Sequence, residues 1–319
     1  MTSAAVTPGP NTLAPGAVAA DSKPVRASRR VSFEAHQDWP NREYSRFVVA
    51  GGLEWHSQDM GAGPTLLLVH GTGASSHSWR DVAPLLATRF RVIAPDLPGH
   101  GFTSTPQPDG FSLPGMASAL SGLLRAMKVD PVIVVGHSAG AAVLVRMTLD
   151  DLIAPESIIS INGALLPLTG VPRWVFAPMA RLLARASFIP RLVARRAEHP
   201  GVVEKLLADT GSRLDRAGIQ LYQQLVRKPE HVAGALCMMA NWDLESLALD
   251  IAGLRTPLHL LTASGDRTIS PADAERVCAR TASARISSLG QLGHLAHEER
   301  PRIVSNEIVR WAIQSGAIP

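Results

Sequence analysis

The stretch VIVVGHSAGAAVLVRM, residues 132–147, constrains the fold more than any other part of the chain. Four apolar residues run into Gly-His-Ser-Ala-Gly, and an apolar pattern with helical spacing then resumes. A strand that passes straight into a helix needs a tight bend. Its apex takes a positive φ, and its neighbours come too close for ordinary side chains. Gly136 and Gly140 relieve that crowding, and Ser138 is pushed out above the sheet with the N-terminus of the new helix aimed at it. The plain alternative is a turn of small residues carrying a solvated serine. In a chain with 26 glycines the motif alone cannot choose between them. The choice rests on whether partners for the serine follow in the right order.

The rest of the chain supplies a setting. RFVVAGG and LEWHSQ (46–58) read as an antiparallel pair joined at Gly51-Gly52. TLLLVH (65–70) and RVIAPD (91–96) are apolar runs of the kind buried on both faces of a sheet, and PVIVVG (131–136), SIISING (157–163), PLHLLTASGD (257–266) and ARISSLG (284–290) read as further strands. Helical patterns separate them: SWRDVAPLLATRF, the run from Leu113, the run from Ala139, PADAERVCARTA and PRIVSNEIVRWAIQS. The reading is an α/β fold with about eight strands in a mostly parallel sheet, covered by helices on both faces. The alternation breaks between about Ala164 and Ala252, a stretch that is helical and too long for a loop. The expected organisation is a disordered tail over 1–35, a first core part over 40–163, an inserted helical cap over 164–252 and a second core part over 253–319.

A serine hydroxyl needs a base within hydrogen-bond reach, and the base needs an acid to orient it. Asp266 lies just past a strand in TASGDRTISP, and His294 lies in the Gly-flanked loop GQLGHLAHEERP before the last helix. Both loops leave the carboxyl ends of strands, the rim that Ser138 occupies and the place where open α/β sheets bind ligands. Where the nucleophile sits at such a strand-to-helix elbow, the partners follow in the chain order nucleophile, acid, base. Each residue alone has a bland reading as a turn aspartate or a loop histidine, and the three together favour the triad Ser138, Asp266, His294. His297 is the rival base, and His297, Glu298 and Glu299 are otherwise expected to steady the loop and cap the last helix. The oxyanion donors expected are the backbone N–H of Ala139 and, from the glycine-rich loop Gly71-Thr72-Gly73, that of Thr72 or Gly73. His70 and His137 read as packed, hydrogen-bonded residues.

A different class competes for the same loop. Gly71-Thr-Gly73-Ala-Ser-Ser76 follows a strand and opens a helix, and Asp96 ends the next strand twenty residues after Ser76, close to a dinucleotide-binding fingerprint. Its third glycine is replaced by Ser76, and this reading leaves Ser138, Asp266 and His294 without a role. His-Leu-Ala-His-Glu at 294–298 matches no zinc signature, so no metal and no cofactor are expected.

Charge and cysteines narrow the partners. The formal net charge is +4, but Lys23, Arg26, Arg29 and Arg30 against Asp21 put most of the excess in the tail, and no nucleic-acid partner is expected. Cys237 and Cys278 are far apart in helix-like surroundings, which suits a reducing cytoplasm. No apolar run approaches the ~18 residues of a membrane span, and the N-terminus lacks the apolar core of a secretion signal.

HGTGASSHSW, APDLPGHGFT, VGHSAGAA, SGDRTISP and GHLAHEERP together resemble the α/β-hydrolase superfamily over about residues 40–319. DWPNREYSRFVVAGGLEWHSQDMG and LLADTGSRLDRAGIQLYQQLVRKPEHVAGALCMMANWDL further resemble the magnesium-chelatase accessory proteins of bacteriochlorophyll biosynthesis. That resemblance implies a role near magnesium insertion into a tetrapyrrole in a photosynthetic bacterium. The partners it implies are a small-molecule substrate, a tetrapyrrole among the candidates, and the magnesium chelatase subunits.

Residues 157–197 contain no Asp or Glu, and they interleave Arg173, Arg181, Arg185, Arg191, Arg195 and Arg196 with Trp174, Phe176, Met179, Leu182, Leu183, Phe188, Ile189, Leu192 and Val193. Three readings stand: helices with a solvated arginine face, a basic surface resting peripherally on an anionic membrane, or an apolar pocket with arginines at its mouth for a flat carboxylate. The expected pocket residues are Gly71, Gly73, His137, Trp174, Met238, Met239 and Trp242. The expected chemistry is hydrolysis of an ester-like bond. A carrier or chelatase-assembly factor that merely retains the triad is the alternative, and a general carboxylesterase is the second.

Overall fold

The structure is a computed structural model that describes residue 1 and residues 28–167, 188–199 and 201–318. The first described element is a helix, α1 (Ser28–Glu34), where composition alone placed the end of the disordered tail. Phe33 explains it. Its ring meets Phe47 and Phe102 edge-on at centroid distances of 5.4 and 5.0 Å, and Arg29 Nη1 donates to Gly101 O. Trp39 is buried as well, so the core begins before residue 40. Residues 2–27 of the expected tail lie outside the described residues.

Strands β1 (Ser45–Ala50), β2 (Leu53–Met60), β3 (Thr65–Val69) and β4 (Arg91–Pro95) follow. Between β3 and β4 the expected single helix is instead a 3₁₀ turn, Ser76–Trp79, and a short α2 (Val82–Leu86). Pro84 has no N–H to give the Arg80 carbonyl, so an α-helix can only start beyond that point. Then come α3 (Leu113–Met127), β5 (Ile133–His137), α4 (Ala139–Leu149) and β6 (Ser157–Ile161). The described cap helices are α5 (Phe188–Arg196), α6 (Val202–Asp209), α7 (Arg216–Val226), α8 (Pro229–Asn241) and α9 (Glu245–Asp250). The chain closes with β7 (Leu258–Thr262), α10 (Ala272–Cys278), β8 (Ala284–Ser288), α11 (Ala296–Glu299) and α12 (Pro301–Gln314).

The eight strands form one sheet in the order β1-β2-β4-β3-β5-β6-β7-β8. β2 pairs antiparallel with β1 and β4, and every other pair is parallel. β5 and β6 lie in the middle, fully buried along their length, which is why they read as unbroken apolar runs. One face of the sheet packs under α3 and α4 through Leu120, Leu144 and Val145. The other packs under α2 and α12 through Leu86, Val304 and Ile308. At the far end of the cap, α9 rejoins the core. Leu247 is fully buried, and Asp250 Oδ2 accepts from Arg146 Nη1 of α4 at 2.6 Å.

On α5, Pro190 and Ala194 are buried, while Phe188, Leu192, Arg191, Arg195 and Arg196 are exposed. The rest of the arginine-rich stretch, with Arg173, Trp174, Arg181 and Arg185, lies outside the described residues. Among the described residues no helix is long and apolar enough to cross a membrane.

Candidate functional site

Ser138 stands at the junction of β5 and α4 with φ 52° and ψ −120°, the strained apex expected from the sequence. The two glycines are required by close approach. A Cβ at Gly136 would lie 2.4 Å from Ala141 N, and one at Gly140 would lie 2.3 Å from Val69 O. The Ser138 side chain is half-buried and makes no capping hydrogen bond to α4. The Ala139 N–H opens the helix and points its positive end toward the same spot.

Asp266 and His294 meet. His294 Nδ1 lies 2.7 Å from Asp266 Oδ2, and both residues are buried. The other carboxylate oxygen accepts from the N–H groups of Thr268 (2.7 Å) and Ile269 (2.9 Å), so the acid is fixed on both sides. A carboxylate on Nδ1 puts the proton there and leaves Nε2 as the acceptor. The His294 backbone is held too. Its carbonyl accepts from Asn162 Nδ2 at 2.9 Å and from His137 Nε2 at 3.0 Å. His137 therefore joins the elbow to the base loop, its ring 4.7 Å from that of His294. Burial, with His297 and His294 nearby, lowers its pKa well below the usual histidine range, so it stays neutral. It is buried beneath the site rather than lining a pocket.

His297, the rival base, is fully buried between Trp79 and His137, with ring centroids 4.5 Å from each. Burial first, then His294 and Arg80, push its pKa down to about 3. The acidic neighbours do steady the loop. Glu299 Oε1 accepts from Gly293 N–H at 2.7 Å, and Glu298 binds both Arg80 and Tyr222 of α7.

The loop after β3 lies against the elbow: a Cβ at Gly71 would sit 3.0 Å from Ser138 Cβ. His70 sets that loop, donating from Nδ1 to Gly71 O and accepting the Leu97 N–H at Nε2, both at 2.8 Å. Gly73 takes φ 77°. Thr72 Oγ1 lies 3.5 Å from Met238 Sδ, which places buried Met238 of α8 beside the loop. Met239, expected beside it, is exposed instead, because adjacent helix residues point about 100° apart. Trp242 is half-buried and packs on the main core cluster. Trp174 lies outside the described residues.

Asp96 contradicts the dinucleotide reading. It is fully buried, and its oxygens accept from Ser76 N–H (2.7 Å), Phe102 N–H (2.8 Å) and His56 Nδ1 (2.8 Å). Burial alone would raise its pKa, but His56 and these bonds hold it well below the usual carboxylate range. It ties loops together and cannot reach a ribose. Among the described residues no three His, Cys, Asp or Glu side chains group as metal ligands.

Two supporting residues escaped sequence reasoning. Asn162, at φ 45°, spans three segments by donating to Gly293 O and His294 O and accepting from Ala263 N–H. Its only trace in the sequence is an Asn-Gly at a strand end. His231 of α8 accepts the Gly101 N–H at Nδ1 (3.0 Å) and donates from Nε2 to Gly73 O (3.1 Å). Burial pushes its pKa down to about 4, which keeps Nδ1 unprotonated near neutral pH.

The model of the alpha/beta hydrolase family matches residues 66–307. The chain is 39% identical over 279 residues to the magnesium-chelatase 30 kDa subunit of Rhodobacter capsulatus, covering 86% of this chain and 96% of that protein. A shorter likeness, 42% over 105 residues, covers 32% of this chain and 38% of the 2-hydroxy-6-oxo-2,4-heptadienoate hydrolase of Pseudomonas putida. An alpha/beta hydrolase fold protein from Burkholderia ambifaria superposes with a TM-score of 0.72 at 25% identity, covering 84% of this chain and 97% of that one.

Proposed function

The chain belongs to the alpha/beta hydrolase family, and from that premise we propose that it is a serine hydrolase of ester-like bonds that works beside magnesium chelatase in bacteriochlorophyll synthesis. The observation that carries the chemistry is the 2.7 Å Asp266–His294 couple on the sheet rim that also presents Ser138 at its strained turn.

Ser138 Oγ attacks the carbonyl carbon of the substrate while His294 Nε2 takes its proton. Asp266 holds the ring in the tautomer that allows this and stabilises the imidazolium that forms. The Ala139 and Thr72 N–H groups receive the oxyanion. His294 then gives its proton to the leaving oxygen. A water that His294 deprotonates attacks the acyl-serine carbonyl, and as the acyl–Oγ bond breaks His294 returns that proton to Ser138 Oγ, releasing the acid. The hydrogen bond the first step needs, from Ser138 Oγ to His294 Nε2, is of the kind that forms or tightens only when substrate is bound. A serine at 138 makes an acyl ester the intermediate, which argues against epoxide or haloalkane chemistry through an alkyl-enzyme ester.

The biological half rests on similarity to a protein named as a chelatase subunit. A small-molecule substrate, a tetrapyrrole ester among the candidates, and chelatase subunits are the partners. The same similarity favours a second reading, a chelatase-assembly or tetrapyrrole-carrying role that needs no turnover. Contact with the cytoplasmic membrane face through α5 fits its exposed Phe188 and Leu192 beside Arg191, Arg195 and Arg196.

One comparison separates these readings. A fluorophosphonate is expected to label the wild-type protein at Ser138, and Ser138→Ala is expected to abolish magnesium-tetrapyrrole production in cells lacking the native protein. Survival of production with Ser138→Ala favours the assembly factor. Labelling without any pigment phenotype favours an esterase unrelated to pigment.

A further inference from the structure

The cap stretch LLADTGSRLD, among the most idiosyncratic in the sequence, has no part in the chemistry derived so far. Its middle, Thr210-Gly211-Ser212, links α6 to α7 and runs between the loop carrying Asp266 and the loop carrying His294. Thr210 O accepts the Arg267 N–H at 3.1 Å and the His294 N–H at 3.4 Å. Ser212 Oγ, on a buried residue, accepts the Leu295 N–H at 2.8 Å. Gly211 has φ 88°, and a Cβ there would lie 2.0 Å from Gly265 O. A Cβ at Gly293 would lie 2.4 Å from both Gly211 C and Ser212 N.

Besides the amide of His294 itself, the residues touched are those on either side of the acid and of the base: Gly265 and Arg267 around Asp266, and Gly293 and Leu295 around His294. Backbone contact fixes one neighbour of each, and a hydrogen bond fixes the other. We infer that Thr210, Gly211 and Ser212 are positioning residues for the Asp266–His294 pair, so the cap is a structural part of the acid–base machinery and not a separable lid. This rests on the serine-hydrolase reading for its catalytic meaning, while the positioning itself is measurable without turnover.

The turn has no room for a side chain at 211, and Ser212 Oγ is the acceptor of the buried Leu295 N–H. Displacing it moves both loops, and a shift of a few tenths of an ångström in the imidazole alters proton transfer.

The test uses the full chain. Ser212→Ala is expected to slow fluorophosphonate labelling of Ser138 about tenfold and to move its pH profile, with a melting temperature lowered by only a few degrees because one buried N–H loses its acceptor. Gly211→Ala is expected to slow it about a hundredfold. Ser212→Ala leaves the turn's backbone free of a clash and so carries the test if Gly211→Ala does not fold. Lys205→Gln, on the exposed side of α6, is the control and labels at the wild-type rate. Wild-type rate and pH profile in Ser212→Ala overturn the inference. If the wild type itself is not labelled, the hydrolase reading fails instead. The positioning is then read from the proton resonance of His294 Nδ1–H: loss or an upfield shift in Ser212→Ala supports it, and an unchanged resonance overturns it.

Discussion

Among the described residues, two of the places where the cap grips the sheet rim are built from different material. On the nucleophile side, α8 holds the Gly71–Gly73 loop with side chains: the His231 imidazole on Gly73 O and Gly101 N, and the Met238 thioether beside Thr72. On the acid–base side, the 210–212 turn holds its loops through a backbone carbonyl, one hydroxyl and glycine contacts. The first anchor contains a titratable ring and can answer to pH. The second contains no group that titrates, and it fails only if the backbone moves. Under the proposed mechanism, a site divided in this way would keep its proton-transfer pair rigid and leave its oxyanion loop adjustable.

The largest effect expected is on the rigid side. Asp266→Asn should cut Ser138 labelling by about 10⁴, because the amide favours the wrong imidazole tautomer. Amide exchange at Arg267 and Leu295 should stay slow, since the turn binds backbone that the substitution leaves in place. Next comes His231→Ala, which frees Gly73 O and Gly101 N–H and loosens the oxyanion loop. About 10- to 100-fold slower labelling is expected. A loss as large as that of Asp266→Asn would break the distinction between the anchors.

Acid sharpens the distinction. The His231 pKa is about 4 in the fold against an ordinary 6.5. The unfolded chain therefore binds the proton more tightly, and the stability tied to neutral His231 is full above pH 6.5. It fades as pH falls through 4, for roughly 3 kcal/mol in all. Unfolding titrations of wild type and His231→Ala should differ least at the acid end. The exchange rate of the Leu295 amide, corrected for intrinsic pH dependence, should stay steady to lower pH than that of Gly101. The smallest effect is Met238→Leu, a volume-conserving change that gives up only a weak contact to sulfur. It should cost less than about 1.5 kcal/mol by chemical denaturation and leave the labelling rate almost unchanged.

What the sequence revealed and what it hid divide along similar lines. The inner strands β3 to β7 were legible because interior parallel strands must be apolar on both faces, and the elbow was legible because its strain demands small neighbours at fixed spacing. The Asp266–His294 pairing followed from chain order. Asn162, His231 and Ser212 were not legible, because each acts on segments far off in the chain: Asn162 reaches residues 131 and 132 positions away. Local composition does not encode such contacts. Asp96 shows the opposite hazard, since its spacing imitates a ribose-binding acid while its surroundings, His56 and two buried N–H groups, make it a strut. The two methionines of α8 look equivalent until the helix is docked, when one turns inward and the other faces water. Helix α1 was masked by the alanine- and proline-rich residues before it, although Phe33 and Trp39 were there to anchor it.

Asn162 also bears on how the protein ages. It precedes Gly163, and its amide nitrogen faces two carbonyl oxygens of the base loop. Hydrolysis of that amide to a carboxylate would replace a double donor with a negative acceptor and turn two attractions into repulsions in a buried place. The setting of His294 would then depend on the survival of a single nitrogen atom.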